Sequence, residues 1–91
     1  MNTLMIGYDL NKSGKNYEGL IDAIKALSRG WWHHLDSTWL VKSELTVSET
    51  RDTLKPYLDG DDELLVLRVT GAAWATFGLS KPANDWLREN L

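Results

Sequence analysis

No cysteine occurs among the 91 residues, which excludes a disulfide framework, a thiolate nucleophile, an iron-sulfur cluster and a cysteine-ligated zinc site. An intracellular, cytoplasmic protein is the plain expectation. Histidine is almost as scarce, with His33 and His34 alone. No apolar stretch approaches the roughly 18 residues of a membrane span, and no basic segment followed by a long apolar run opens the chain, so neither membrane insertion nor secretion is expected. Positive charge is also in short supply. Ten Lys and Arg face thirteen Asp and Glu for a net charge of −3, which argues against broad phosphate-driven adhesion to nucleic acid. The deficit is uneven: residues 1–43 carry five basic against four acidic groups, and residues 44–91 five against nine. A nucleic-acid surface would have to draw on Lys12, Lys15, Lys25, Arg29 and Lys42, which equally suit a solvated surface.

Hydrophobic residues at 43% and charged residues at 25% are the balance of a folded globular chain. The length fits one domain spanning 1–91, small enough for oligomerisation to add useful burial. The run Thr3 to Leu10 is apolar and strand-like, with one carboxylate, Asp9, near its end. Asn11-Lys-Ser-Gly-Lys-Asn16 follows as a polar loop. Tyr17, Leu20, Ile21, Ile24 and Leu27 recur at helical spacing, which predicts an amphipathic helix ended by Arg29-Gly30.

From Trp31 to Lys42 the pattern is strand-like. It is either one long strand or a hairpin, with arms Trp31 to His34 and Asp36 to Lys42 around Leu35, or with a wider turn and a start near Ser28. Thr46-Val-Ser-Glu49 has the form of a capping box and predicts a helix to about Lys55, limited by Pro56. Asp59-Gly-Asp-Asp62 reads as a turn, Glu63 to Val69 as a strand, Thr70-Gly71 as a further turn and Ala73 to Phe77 as a short last strand. Ser80 to Asn90 predicts a terminal helix with Pro82 in its first turn and Trp86 and Leu87 inward. With the hairpin, the order matches β-α-β-β-α-β. The expected architecture is α+β: a ferredoxin-like antiparallel sheet with helices on one face, plus a C-terminal helix.

Three features together resemble a known family: the strand ending Tyr8-Asp9-Leu10, the amphipathic helix after it, and Leu35-Asp-Ser-Thr-Trp-Leu-Val41. The small CRISPR-adaptation proteins of the CRISPR-associated protein two family have a similar hydrophobic-Tyr-Asp ending and a similar second-strand signature. The likeness covers about the first half of the chain, and extends more distantly to the VapD ribonuclease toxins. It implies a ferredoxin-like homodimer in which C-terminal segments help complete the partner's sheet. It also implies that the Asp9 carboxylates face each other across the interface, as in members proposed to hold Mg²⁺ or Mn²⁺ for phosphodiester cleavage, with Ser37 at the family's second-strand serine. In the family's adaptation complex the same dimer serves as a DNA scaffold without using its carboxylates. Two departures weaken the nuclease and DNA-integration readings: Asn11-Lys-Ser-Gly-Lys15 replaces an arginine-rich continuation, and the second half is acidic.

Read from residues alone, Asp9 is either a metal ligand or a turn residue bonded to backbone amides of the next loop. Adjacent strand side chains point to opposite faces, so His33 and His34 would not share a metal, but His33 could serve as a general acid or base near Asp9, or be a partly exposed strand residue. Of five tryptophans, Trp39 and Trp86 are expected in the core, while Trp31, Trp32 and Trp74, with Tyr8, Lys12 and Lys15, are candidates for a ligand surface or an interface. Gly14-Lys15 lacks the spacing of a phosphate loop, and Asp59-Gly-Asp-Asp-Glu63 that of a calcium loop. Two functions remain open: a non-catalytic homodimer binding nucleic acid, a nucleotide or a protein, and a metal-dependent endonuclease acting on RNA or DNA through Asp9 of each subunit.

Overall fold

The computed structural model describes residues 1–11 and 17–91. The chain runs β1 (Asn2–Asp9), α1 (Glu18–Leu27), β2 (Gly30–Leu35), β3 (Thr38–Ser43), α2 (Val47–Leu54) with a 3₁₀ turn at Lys55–Tyr57, β4 (Glu63–Arg68) and α3 (Lys81–Asn90). The four strands form one antiparallel sheet in the order β2-β3-β1-β4. This is the ferredoxin-like arrangement, with α3 added at the end. The stretch from Trp31 to Lys42 is a hairpin turned at Asp36-Ser37, and its arms pair with a register shift between Trp32 and Leu35.

Alternation along the strands divides the side chains into two sets. Leu4, Ile6 and Tyr8 of β1 and Trp39 and Val41 of β3 are buried beneath Leu20 and Ile24 of α1 and Leu54 of α2. The largest of them is Trp39, 1% exposed, whose indole N–H donates to the Tyr8 hydroxyl at 3.0 Å. That bond satisfies the polar tips of two aromatic residues at once, as burial of each requires. The other face holds a smaller core of Trp32 and Leu40 against Ala83 and Leu87 of α3, with Met5, Leu79, Trp86 and Leu91 at its margin. Trp32 donates its indole N–H to the Ala83 carbonyl at 3.1 Å, which ties α3 to the β2 side of the sheet.

Caps lie where the residues signal them. The Thr46 hydroxyl accepts from the Glu49 amide at 3.1 Å and the Glu49 carboxylate accepts from the Thr46 amide at 2.9 Å. Ser80 caps α3 with Pro82 in the first turn. The expected strand at Ala73 to Phe77 does not form. After β4 the chain turns at Gly71, with φ +75°, and crosses the second face to reach α3 on the β2 side. A segment running across a sheet rather than along its edge has no ladder to join, despite its strand-like residues.

Candidate functional site

Asp9 ends β1 on the same face as Thr3, Met5 and Gly7, the face that α3 only partly covers. The antiparallel register sets it opposite Glu63, the first residue of β4. Both side chains are exposed and both border an open concavity of about 420 Å³ with Gly7, Ser37, Thr38 and Leu65 among its walls. The β2–β3 hairpin brings Ser37 there, and the Ser37 carbonyl accepts the Tyr8 amide at 3.1 Å, closing the end of the β1–β3 ladder. The sheet thus gathers Asp9, Ser37 and Glu63. Like charges directly opposite on adjacent strands disfavour the fold by up to roughly 1 kcal/mol, and a divalent cation would relieve that cost. Two carboxylates are also a hard-oxygen donor set suited to Mg²⁺ or Mn²⁺ with water and phosphate oxygens as the remaining ligands. Among the described residues no group of three His, Asp or Glu side chains is clustered for a metal.

The turn role considered for Asp9 belongs to another carboxylate. Asp62 accepts the amides of Asn11 at 2.9 Å and Asp59 at 2.8 Å and the Tyr17 hydroxyl at 2.9 Å. It ties the end of β1, the start of α1 and the turn before β4 together. The acidic run Asp59–Glu63 thus divides its labour: Asp62 organises a turn while Glu63 stands beside Asp9. Glu63 has no sequence signal as a site residue, because its proximity to Asp9 is a matter of strand register 54 positions away.

The remaining candidates are dispersed. The Tyr8 ring is buried on the helix side, turned away from Asp9. His33 is also on the helix side, stacked on Trp39 at 3.8 Å between ring centroids, with Nε2 3.2 Å from the Asp36 carbonyl. It is therefore a structural side chain on the face opposite the Asp9 concavity rather than an acid or base beside it. His34 lies on the second face, 5.0 Å from the Trp32 ring, so the two histidines do diverge. Trp32 is buried, 4% exposed, and serves the smaller core rather than a surface. Lys12 and Lys15 lie outside the described residues.

Trp31 and Trp74 remain at the surface, 44% and 40% exposed. Trp31 lies against Trp39 at 5.2 Å, and the Lys25 ammonium of α1 sits 5.0 Å from its ring centroid, which makes a ledge of one cation and one indole at the β2 side. Trp74 lines a separate apolar groove of about 480 Å³ on the second face, with Met5, Trp32, Leu40, Phe77 and Leu87. No known family model matches this chain, and no solved structure matches it.

Proposed function

We propose that this protein is a non-catalytic homodimeric binding module, similar in plan to the CRISPR-associated protein two family, that takes single-stranded nucleic acid or a nucleotide on the Trp31 ledge. The Lys25–Trp31 pair carries this reading. The Trp31 indole, packed on Trp39 and 44% exposed, can stack on a base when the Lys25 ammonium that lies over its ring turns to a phosphate. Stacking of one base on an aromatic side chain contributes about 1–3 kcal/mol. A chain of net charge −3 would depend on stacking more than on phosphate contacts, so its affinity should fall only gently with salt. His33 supports the non-catalytic form of the reading, because its ring is committed to Trp39 and the Asp36 carbonyl.

The test is quenching of tryptophan fluorescence by short single-stranded DNA, single-stranded RNA and mononucleotides. Trp31→Ala should weaken binding by about five- to a hundredfold, and Lys25→Ala should lower the salt slope by about one contact. Absence of binding by the unaltered protein to all three probes would overturn the reading.

A second reading rests on a separate observation, the pairing of Asp9 with Glu63 beside Ser37. Under it the protein is a metal-dependent endonuclease in which Asp9, assisted by Glu63, holds Mg²⁺ or Mn²⁺, and the metal would polarise the scissile phosphate. Metal-dependent cleavage of RNA or DNA that is abolished in Asp9→Ala, with the fold unchanged, would establish it over the first.

A further inference from the structure

The second face of the sheet carries a trough with two unlike ends. Its apolar end is the groove of about 480 Å³ floored by Met5, Trp32 and Leu40, walled by Leu87 of α3 and rimmed by Trp74 and Phe77. Trp74 is 40% and Phe77 100% exposed. Large apolar side chains left in water around one concavity are characteristic of a binding groove. The rim is fixed in place. Gly71 and Gly78, with φ +75° and +80°, bracket the segment that carries both aromatics, and the Thr76 hydroxyl donates to the Asn84 side-chain carbonyl at 2.6 Å, fastening that segment to α3.

The other end is acidic. Thr38 lines both this groove and the concavity of about 420 Å³ that Asp9 and Glu63 border, so the two volumes adjoin across Thr38 and its register partner Gly7. Met5, Gly7 and Asp9 share one face of β1, and the floor from the groove to the carboxylates is therefore about 13 Å long. Among the described residues no Lys or Arg pairs with either carboxylate. Gly7 sits at the join. A glycine inside a strand weakens it and commonly marks the close approach of a ligand or of another backbone. Packing within the chain does not demand it: a Cβ at Gly7 would meet the Met5 methyl at 3.5 Å and the Ser37 carbonyl oxygen at 4.0 Å, both ordinary contacts. The missing side chain leaves the middle of the trough open.

We propose that this trough binds a small amphipathic cation, an organic ammonium whose flat apolar body lies in the groove beside Trp74 and Phe77 while its nitrogen reaches Asp9 and Glu63. Volume sets the size of the body, since concavities of about 300–1,000 Å³ take small molecules, and the groove suits one or two fused rings. The length of the floor sets the ammonium a few bonds beyond the rings. Charge fixes the sign. An anion would meet two opposed carboxylates, whereas an ammonium between them relieves the repulsion that their strand register imposes. The site requires neither reading above, because Trp31 lies on the helix side of the sheet and no metal takes part.

Titration calorimetry of the full chain with naphthylethylammonium, the matching neutral alcohol and naphthylpropionate tests this, with EDTA present to remove divalent ions. The ammonium should bind about fivefold tighter than the alcohol, the anion should bind most weakly, and amide resonances of Gly7 and Thr38 should shift with the Trp74 indole. Asp9→Asn/Glu63→Gln should lower the ammonium to the affinity of the alcohol and leave the alcohol unchanged. Gly7→Val, which fills the join, should weaken the ammonium by about tenfold or more. Trp74→Ala should weaken it by about two- to tenfold, and because Trp74 is largely exposed this variant serves should Gly7→Val not fold. Failure of the ammonium to bind, equal affinity for all three probes, or affinity unmoved in the folded variants would overturn the proposal. So would a chain that refuses the ammonium and sediments as a dimer with Trp74 and Phe77 protected from exchange, since a second copy would then occupy the groove.

Discussion

The second face of the sheet is built in two unlike halves. Over β2 and β3, Trp32 and Leu40 are sealed by Ala83 and Leu87, and the Trp32 indole N–H has its acceptor on α3. Over β4, Leu65 and Leu67 lie in the open beside Gly7. The difference is not one of hydrophobicity, since both halves are apolar. A ten-residue helix is about 15 Å long, enough to cover only part of a four-stranded sheet, and its tether from β4 carries it to the far side. What remains bare is set by the reach of α3, and it lies along β4, a strand at the edge of the sheet among the described residues.

Substitutions can break or sharpen this contrast. The largest effect is expected at Trp39, which serves the helix-side core. Trp39→Ala should cost about 3–5 kcal/mol in urea unfolding by removing a 1% exposed indole and leaving the Tyr8 hydroxyl without its donor. Leu87→Ala, on the covered half of the second face, should cost about 2–4 kcal/mol and shift Trp32 emission to the red as α3 loosens. A small change at Leu87 would show that α3 is a loosely held cover. Thr46→Ala, remote from both halves, should cost about 1 kcal/mol through loss of the capping hydroxyl, whereas Thr46→Ser should restore most of it. Leu65→Ser, on the bare half, should change stability by no more than about 0.5 kcal/mol. A loss comparable with that of Leu87→Ala would mean the two halves are not different in kind.

The smallest effect concerns the outer side of α3. The hydrogen bond from Lys81 to Asp85, at 2.7 Å, holds the Asp85 carboxyl below its usual value, and the Arg88 bond at 2.9 Å adds to it. A depressed carboxylate stabilises the folded state above its unfolded pKa, near 3.8, and that contribution is lost as pH falls through the lower folded value. Asp85→Asn should therefore remove a slight pH dependence of Tm below about pH 4, and leave Tm at neutral pH nearly unmoved because the pair is surface-exposed.

Most of the fold is legible in short stretches of residues. The spacing of Leu20, Ile24 and Leu27 marks α1, the Thr46 to Glu49 box marks the start of α2, and Ser80-Lys-Pro82 marks α3, because caps and helical periodicity act over one or two turns. The hairpin at Asp36-Ser37 is legible only as one of several readings, since Trp31 to Lys42 is strand-like throughout. The Ala73–Phe77 segment is misread for the reciprocal reason: local composition suits a strand, but strand formation depends on a neighbour that the topology does not supply.

The candidate site divides along the same line. Asp9 stands out from its own segment, as a carboxylate closing an apolar run, and its exposed place at the end of β1 is set by alternation alone. That Glu63 stands opposite it, that Asp62 takes the turn role, that His33 faces away, and that α3 leaves Leu65 and Leu67 bare were decided by register and by the path of the chain across the sheet. The physical reason is range. Propensity, capping and alternation act between residues a few positions apart, whereas pairing across a sheet joins positions such as 9 and 63 through the sum of all the contacts that set the register.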